Sequence, residues 1–202
     1  MHQNILTLSF LSGLSVSYPV RESPFLPGAC PKVTPMPGLD LSLYQGNWRQ
    51  VALFPNVTSP LVGSGYRPDL ACVSTSYDET EGVYKVTNKG VDTETKEDVV
   101  ITGDLLHTQE GLALHWDTAD LPDEVYQVLD TDYDTFASVW NCKEFPMLGI
   151  LVRREFAWII SREEAIEPTG RIPDGMLKDA MNVYSVFGID IGQFEVIEDF
   201  RC

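Results

Sequence analysis

The chain has 202 residues, 44% of them hydrophobic and 22% charged, and its 30 acidic and 14 basic side chains give a formal net charge of −16. That length admits one generous domain or two small ones, and the apolar share is enough for a sizeable core. The negative charge argues against a nucleic-acid partner, which would be repelled before contact, and favours solubility.

The first residues, MHQNILTLSFLSGLSVSYPV, hold an apolar stretch from Ile5 to Val16 followed by small residues. Although MHQN lacks Lys and Arg, residues 1–17 read as a secretory signal cut after Ser17, with Ser15 and Ser17 meeting the small-residue rule. The stretch is too short to span a bilayer and no later run is long and uncharged enough, so the expectation is a secreted protein with no membrane span. Residues 18–42 form a proline-rich leader in which PVRESPFLPGACPKVTPMPG suits neither helix nor central strand and is expected to cross a surface.

Residues 43–202 read as one domain of short apolar segments punctuated by turn residues. NWRQVALF, ACVSTSYD and GVYKVTN are the first three predicted strands, with a hairpin turn over Asp78 to Gly82. DVVITGDLL, GLALHWDT, EVYQVLD, TFASVWNC and RREFAWIISR continue the series to eight. A helical pattern follows: Pro173 and Asp174 start it, Met176, Leu177, Ala180, Met181 and Tyr184 carry it, and Gly188 stops it. A last short strand is expected around Gln193 to Ile197. Eight sequential strands with tight connections predict an all-β fold, an eight-stranded antiparallel up-and-down barrel whose closure removes exposed sheet edges, with one C-terminal helix outside it.

Asp130, Asp132 and Asp134 fall at the first, third and fifth positions of an EF-hand loop, but Thr135 and Asn141 occupy the places of the required glycine and glutamate, so a strand is the better reading of that segment. Cys30, Cys72, Cys142 and Cys202 are an even count in a chain expected to be exported, which predicts two disulfides; no CxxC spacing suggests zinc, and spacing does not choose among the three pairings. His107 and His115 lack a paired carboxylate pattern and read as solvated side chains, so no metal is expected. Asn56-Val57-Thr58 is a glycosylation sequon. The acidic runs DTETKED and DTADLPDE read as solvated turns.

Gly46-Asn47-Trp48 on the first strand, Thr131-Asp132-Tyr133 before the seventh and Arg162 at the end of the eighth resemble, in order, the three signature blocks of the lipocalin family. Within that family the chain resembles the apolipoprotein D group, which includes the crustacyanins and insect bilin-binding proteins, through Cys30-Pro31, Cys72, Cys142, FAWIISR and the terminal cysteine. The resemblance implies disulfides Cys30 with Cys142 and Cys72 with Cys202. It also implies that Arg162 stacks on Trp48 at the closed end, leaving Gly46, Trp48, Thr131, Asp132, Tyr133 and Arg162 as structural residues. One departure is Arg49, where the group has an aromatic residue; with the long PNVTSPLVGSGYRPDLA segment, it implies a differently shaped mouth.

Alternate strand residues point into a small barrel. If Arg162 faces in, so do Ile160, Trp158 and Phe156. If Cys142 reaches a leader outside, then Trp140, Ser138 and Phe136 face out while Ala137, Val139 and Asn141 face the cavity. Trp48 gives the inward parity to Gln50, Ala52 and Phe54. A mostly apolar interior with isolated polar groups such as Gln50 and Asn141 suits a small hydrophobic ligand, although the same side chains could simply fill the barrel.

The resemblance implies a carrier with no required cofactor, its ligand a carotenoid such as astaxanthin in the first instance, with a bilin, a sterol or a fatty acid as competitors. A full carotenoid is longer than the barrel is deep, so that choice implies protrusion or sharing between subunits of a homo- or hetero-oligomer. Two other classes remain open. A thiol-dependent isomerase of the same fold would need a free activated cysteine, and a protein-interaction subunit would need no ligand.

Overall fold

Strands β2 (Gly46–Phe54), β3 (Leu70–Thr80), β4 (Val83–Asp92), β5 (Asp98–Thr108), β6 (Gly111–Trp116), β7 (Glu124–Thr131), β8 (Phe136–Met147) and β9 (Ile150–Ser161) pair antiparallel in sequence order, and β9 pairs back with β2 to close the barrel. The computed structural model describes residues 25–54, 70–108, 111–118, 123–168 and 170–197; the expected signal, the Asn56 sequon and Cys202 lie outside them. The expected eight-stranded barrel is therefore the observed one. Its strands form where β-branched and aromatic residues alternate with polar ones, and Glu81-Gly82, both at positive φ, make the tight β3–β4 turn inside the expected Asp78 to Gly82 segment.

The leader lies along the barrel surface. Its short strand β1 (Leu26–Pro27) pairs with β9, the Met36 amide donates to the Val128 carbonyl, and Cys30 is bonded to Cys142. Pro27 can occupy a strand because this one sits at the sheet edge. Cys72 is also disulfide-bonded; Cys202, the partner expected for it, lies outside the described residues. One strand and one α-helix were not expected: β1, and the one-turn helix α1 (Leu41–Tyr44), capped by Asp40, whose carboxylate accepts from the Ser42 amide.

Helix α2 (Asp174–Val186) matches the expected span, with Gly188 at φ +73° ending it. It packs against the outer wall of β7 and β8. Ala180 is wholly buried, its carbonyl accepts from Ser138 Oγ at 2.6 Å, and Tyr184 Oη donates to the carbonyls of Val139 at 3.0 Å and Trp158 at 2.9 Å. The last strand, β10 (Glu195–Val196), pairs with β2.

Two strand readings need correction. Alternation on β2 breaks at a bulge between Gln50 and Ala52. Beyond it Ala52 pairs with Ile159 and Phe54 with Ala157, both outward residues, while Leu53 pairs with inward Trp158. An extra residue in one strand shifts every later side chain to the opposite face, so Ala52 and Phe54 belong to the outer core with α2, and the Phe54 ring lies 5.6 Å from that of Phe194. The seventh and eighth predicted strands were also too short. The pairing of β8 with β9 continues to Met147 and Ile150, through residues that lie between the two predicted strands and do not alternate.

The closed end is held by one guanidinium. Arg162 lies 3.7 Å from the centroid of the Trp48 ring, and it donates from Nη1 to Gln45 O at 2.7 Å, from Nη2 to Leu43 O at 3.0 Å and from Nε to Tyr133 O at 2.9 Å. Gly46, at φ +95°, lets the chain turn there, and a Cβ on it would stand 3.1 Å from Arg162 Nη1. Beside it, Asp132 Oδ1 accepts from the amides of Asp134, Thr135 and Phe136 at 3.2, 2.8 and 3.0 Å, so the carboxylate serves its own turn rather than an ion. Burial raises the Asp132 carboxyl, but these hydrogen bonds and that of the Thr135 hydroxyl outweigh it and hold the group below its ordinary value.

Arg162→Lys should lower stability by about 2 kcal/mol, roughly 6 °C in Tm by calorimetry, because an ammonium replaces neither the fork nor the stack. Asp132 is depressed in the folded state, so its contribution is present above the unfolded value near 3.8 and is lost as pH falls through the lower folded one. Urea unfolding of Asp132→Asn below about pH 4 should therefore show a shallower acid loss than the parent chain.

Candidate functional site

Four aromatic residues build a floor inside the barrel. Tyr44 from α1, Trp48 from β2, Tyr77 from β3 and Tyr126 from β7 are each at most 2% exposed, with ring centroids 5.1 Å apart for Tyr44 and Trp48 and 5.0 Å for Tyr44 and Tyr77. Their hydroxyls meet: Tyr126 Oη lies 2.9 Å from Tyr44 Oη and 2.5 Å from Tyr77 Oη, and the Trp48 indole donates to the Tyr44 carbonyl at 2.9 Å. Burial raises all three phenols well above their ordinary value, so they stay neutral at any physiological pH. This end of the barrel is filled by protein.

Above the floor the wall reverses the usual burial pattern. On β9, outward-facing Ala157 and Ile159 have no exposure because α2 covers them, whereas inward-facing Trp158 between them is only partly buried. Inward Ile101, Thr75, Asn88 and Arg154 also keep accessible surface. Trp158 and Ile101 pack against the inner core yet keep accessible surface, so the upper interior is incompletely filled by its own side chains, and that space is the cup.

The structure brings most of the predicted cup residues together. Ala137 and Val139 on β8 and Ile160 on β9 lie in the inner core, Asn141 pairs with Phe156 across the β8–β9 ladder, and Gln50 pairs with Ile160 before the bulge. Ala52 and Phe54 are the exceptions already corrected. Arg49 faces outward near the closed end and donates to Glu163 at 3.0 Å, so it does not shape the mouth.

Besides Ile101, Thr75 and Asn88, five cup residues lie outside the sequence-based expectation. Tyr126 stands 5.9 Å from Trp158, and Leu53 faces in once the bulge is known. Glu124, 8% exposed, accepts from Asn141 Nδ2 at 3.2 Å. Arg154 leans over the Phe156 ring at 5.6 Å; burial lowers its guanidinium from the ordinary value and the nearby Glu124 carboxylate partly restores it. Trp116, 4% exposed, lies against Gly103, where a Cβ would come within 3.1 Å of its ring, and its buried indole N–H meets no acceptor. The parity of GLALHWDT and EVYQVLD, set from Tyr126 or Leu114 as inward, would have found three of these. Together they place a carboxylate, an amide, a guanidinium and a spare N–H donor on an otherwise apolar aromatic wall.

No family model matches the chain. The Lazarillo protein of Schistocerca americana is 27% identical over 154 residues, 74% of this chain and 65% of that protein, so the chain spans just under two thirds of that relative. Insecticyanin-A of Manduca sexta is 28% identical over 161 residues, 76% of this chain and 80% of that one. Among solved structures, lobster apocrustacyanin A1 superposes with a TM-score of 0.67 at 19% identity, covering 87% of this chain and 91% of that one. Insecticyanin from Manduca sexta does so with a TM-score of 0.65 at 24% identity, covering 88% and 89%. At those identities the structures speak for the fold alone. The arginine stacked on the Gly46-to-Trp48 turn, the eight-stranded barrel with its outer helix and these relatives agree, and the chain has the lipocalin fold.

Proposed function

We propose that this protein is a carrier that takes a small hydrophobic molecule into the cup and holds it by burial rather than by a covalent bond. The observation that carries the reading is Trp158, an indole on the inner wall that is less buried than the outward residues on either side of it. A ligand removing about 300 Å² of apolar surface from water gains roughly 7 kcal/mol before ordering costs, enough for micromolar binding. Glu124, Asn141 and Arg154 would receive a polar end, and Trp116 offers a donor to an acceptor partway along the ligand. The relatives support the same class of role, and the disulfides and the signal-like first residues support a secreted carrier.

Within that class a carotenoid of the astaxanthin type is the first candidate, supported by the flat aromatic surfaces of Trp158, Phe156 and Tyr126; a bilin, a sterol or a fatty acid competes. The tyrosine floor shortens the cup, so a full carotenoid would stand out of the mouth and need cover from another subunit. The thiol-dependent reaction is not part of this proposal, because Cys30, Cys72 and Cys142 are all in disulfides.

The visible absorption spectrum of the protein from its native source tests the pigment: a bound carotenoid gives a strong band, and a colourless preparation with an extractable sterol or fatty acid removes that candidate. Ligand titration followed by tryptophan fluorescence tests the carrier role itself. Quenching is expected in the parent chain, and Trp158→Ala should raise the Kd about tenfold, equivalent to about 1.4 kcal/mol. No saturable quenching by any of the four ligand classes would defeat the proposal.

A further inference from the structure

Among the described residues, strands β8 and β9 run on as a ribbon past the other barrel strands at the end opposite the Arg162 floor, flanked by β1 at Val152 and Arg153 and ending as a two-stranded tip with Met147 paired to Ile150 across the turn Leu148-Gly149. The ribbon is apolar on both faces. Phe145, Met147, Ile150 and Val152 share one, Pro146 and Leu151 lie on the other, and Leu148 stands at the tip. Leu148 is 100% exposed, Ile150 61%, Leu151 43% and Met147 39%.

The turn sharpens the point. Leu148 at φ +50° and Gly149 at φ +81° have the two positive φ values of a turn that favours Asn-Gly. Leucine there is disfavoured by its own backbone and fully exposed to water. Neither folding nor solubility accounts for it.

We infer that this ribbon inserts its tip into a zwitterionic phospholipid surface, setting the mouth of the cup against lipid. A protein partner, including a second copy, would cover one face of the ribbon and leave the other wet, whereas an apolar medium surrounds both. The base of the ribbon carries a matching charge: exposed Lys143 lies 5.9 Å from the Phe145 ring, and Phe25 packs edge-on against the same ring at 5.8 Å. Cations on long stems beside aromatic rings belong at headgroup depth, within reach of lipid phosphate. From Phe145 to Leu148 the chain rises about 10 Å, the depth of the headgroup and acyl boundary. Arg153 is held by Glu155 and the Pro27 carbonyl and takes no part. The net charge of −16 turns the protein away from strongly anionic bilayers, so the surface is a neutral one. The contact is the protein's own and stands whether or not the cup carries a ligand.

Flotation of the full chain with phosphatidylcholine vesicles tests this. The parent chain should rise with the vesicles, and Leu148→Asn should lower the floated fraction at least fivefold while keeping an equal or higher Tm, since it installs the favoured turn residue. Ile150→Asn should lower flotation similarly. A parent chain that stays at the bottom of the gradient overturns the inference, as does a Leu148→Asn chain that floats as well as the parent. Self-association abolished by Leu148→Asn, with no flotation, assigns the tip to a second copy and overturns it too.

Discussion

The barrel depends on how its chain is fastened at one end, where a single guanidinium joins α1, β2, the β7–β8 turn and the end of β9. Arg162 answers three carbonyls on two separate segments and lies flat on Trp48, and the absence of a side chain at Gly46 makes room for it. A planar fork with fixed donor directions suits that task in a way no flexible ammonium does. Closing one end with polar and stacked contacts leaves the apolar strand faces above it free to line a space.

Within that frame the interior divides by height. Near the fastened end, Tyr44, Tyr77 and Tyr126 bring their hydroxyls together so that large rings can be buried without stranding a polar atom. Higher up, the wall mixes Trp158 and Phe156 with Glu124, Asn141 and Arg154. A few polar groups on an apolar wall orient a guest without supplying most of its affinity.

Much of this was legible in the sequence where local pattern and global fold agree. Alternation on RREFAWIISR and TFASVWNC assigned Trp158, Ile160, Ala137 and Val139 to the inside, since nothing interrupts the two-residue period there. It failed on NWRQVALF because a bulge after Gln50 is a backbone event that no side chain announces, and every residue past it changes face. Glu124 and Arg154 escaped notice for a different reason: charged side chains are read by default as solvated, although the two-residue parity of Tyr126 and Phe156 turns both of them inward. The Pro146 to Leu151 run lies between the two predicted strands TFASVWNC and RREFAWIISR, and it lacks the alternation that marks a strand, the same lack that makes both faces of the ribbon apolar.

Tyr184 ties α2 to the carbonyls of Val139 and Trp158, directly behind the two residues that line the cup on that side. Among the described residues no helix packs behind the opposite staves, β4 and β5, and Val100 on their outer surface is 56% exposed. The vessel is thus braced along one flank and unsupported along the other. A guest too broad for its resting width would be accommodated by outward flexing of β4 and β5, while the indole it rests against stays still.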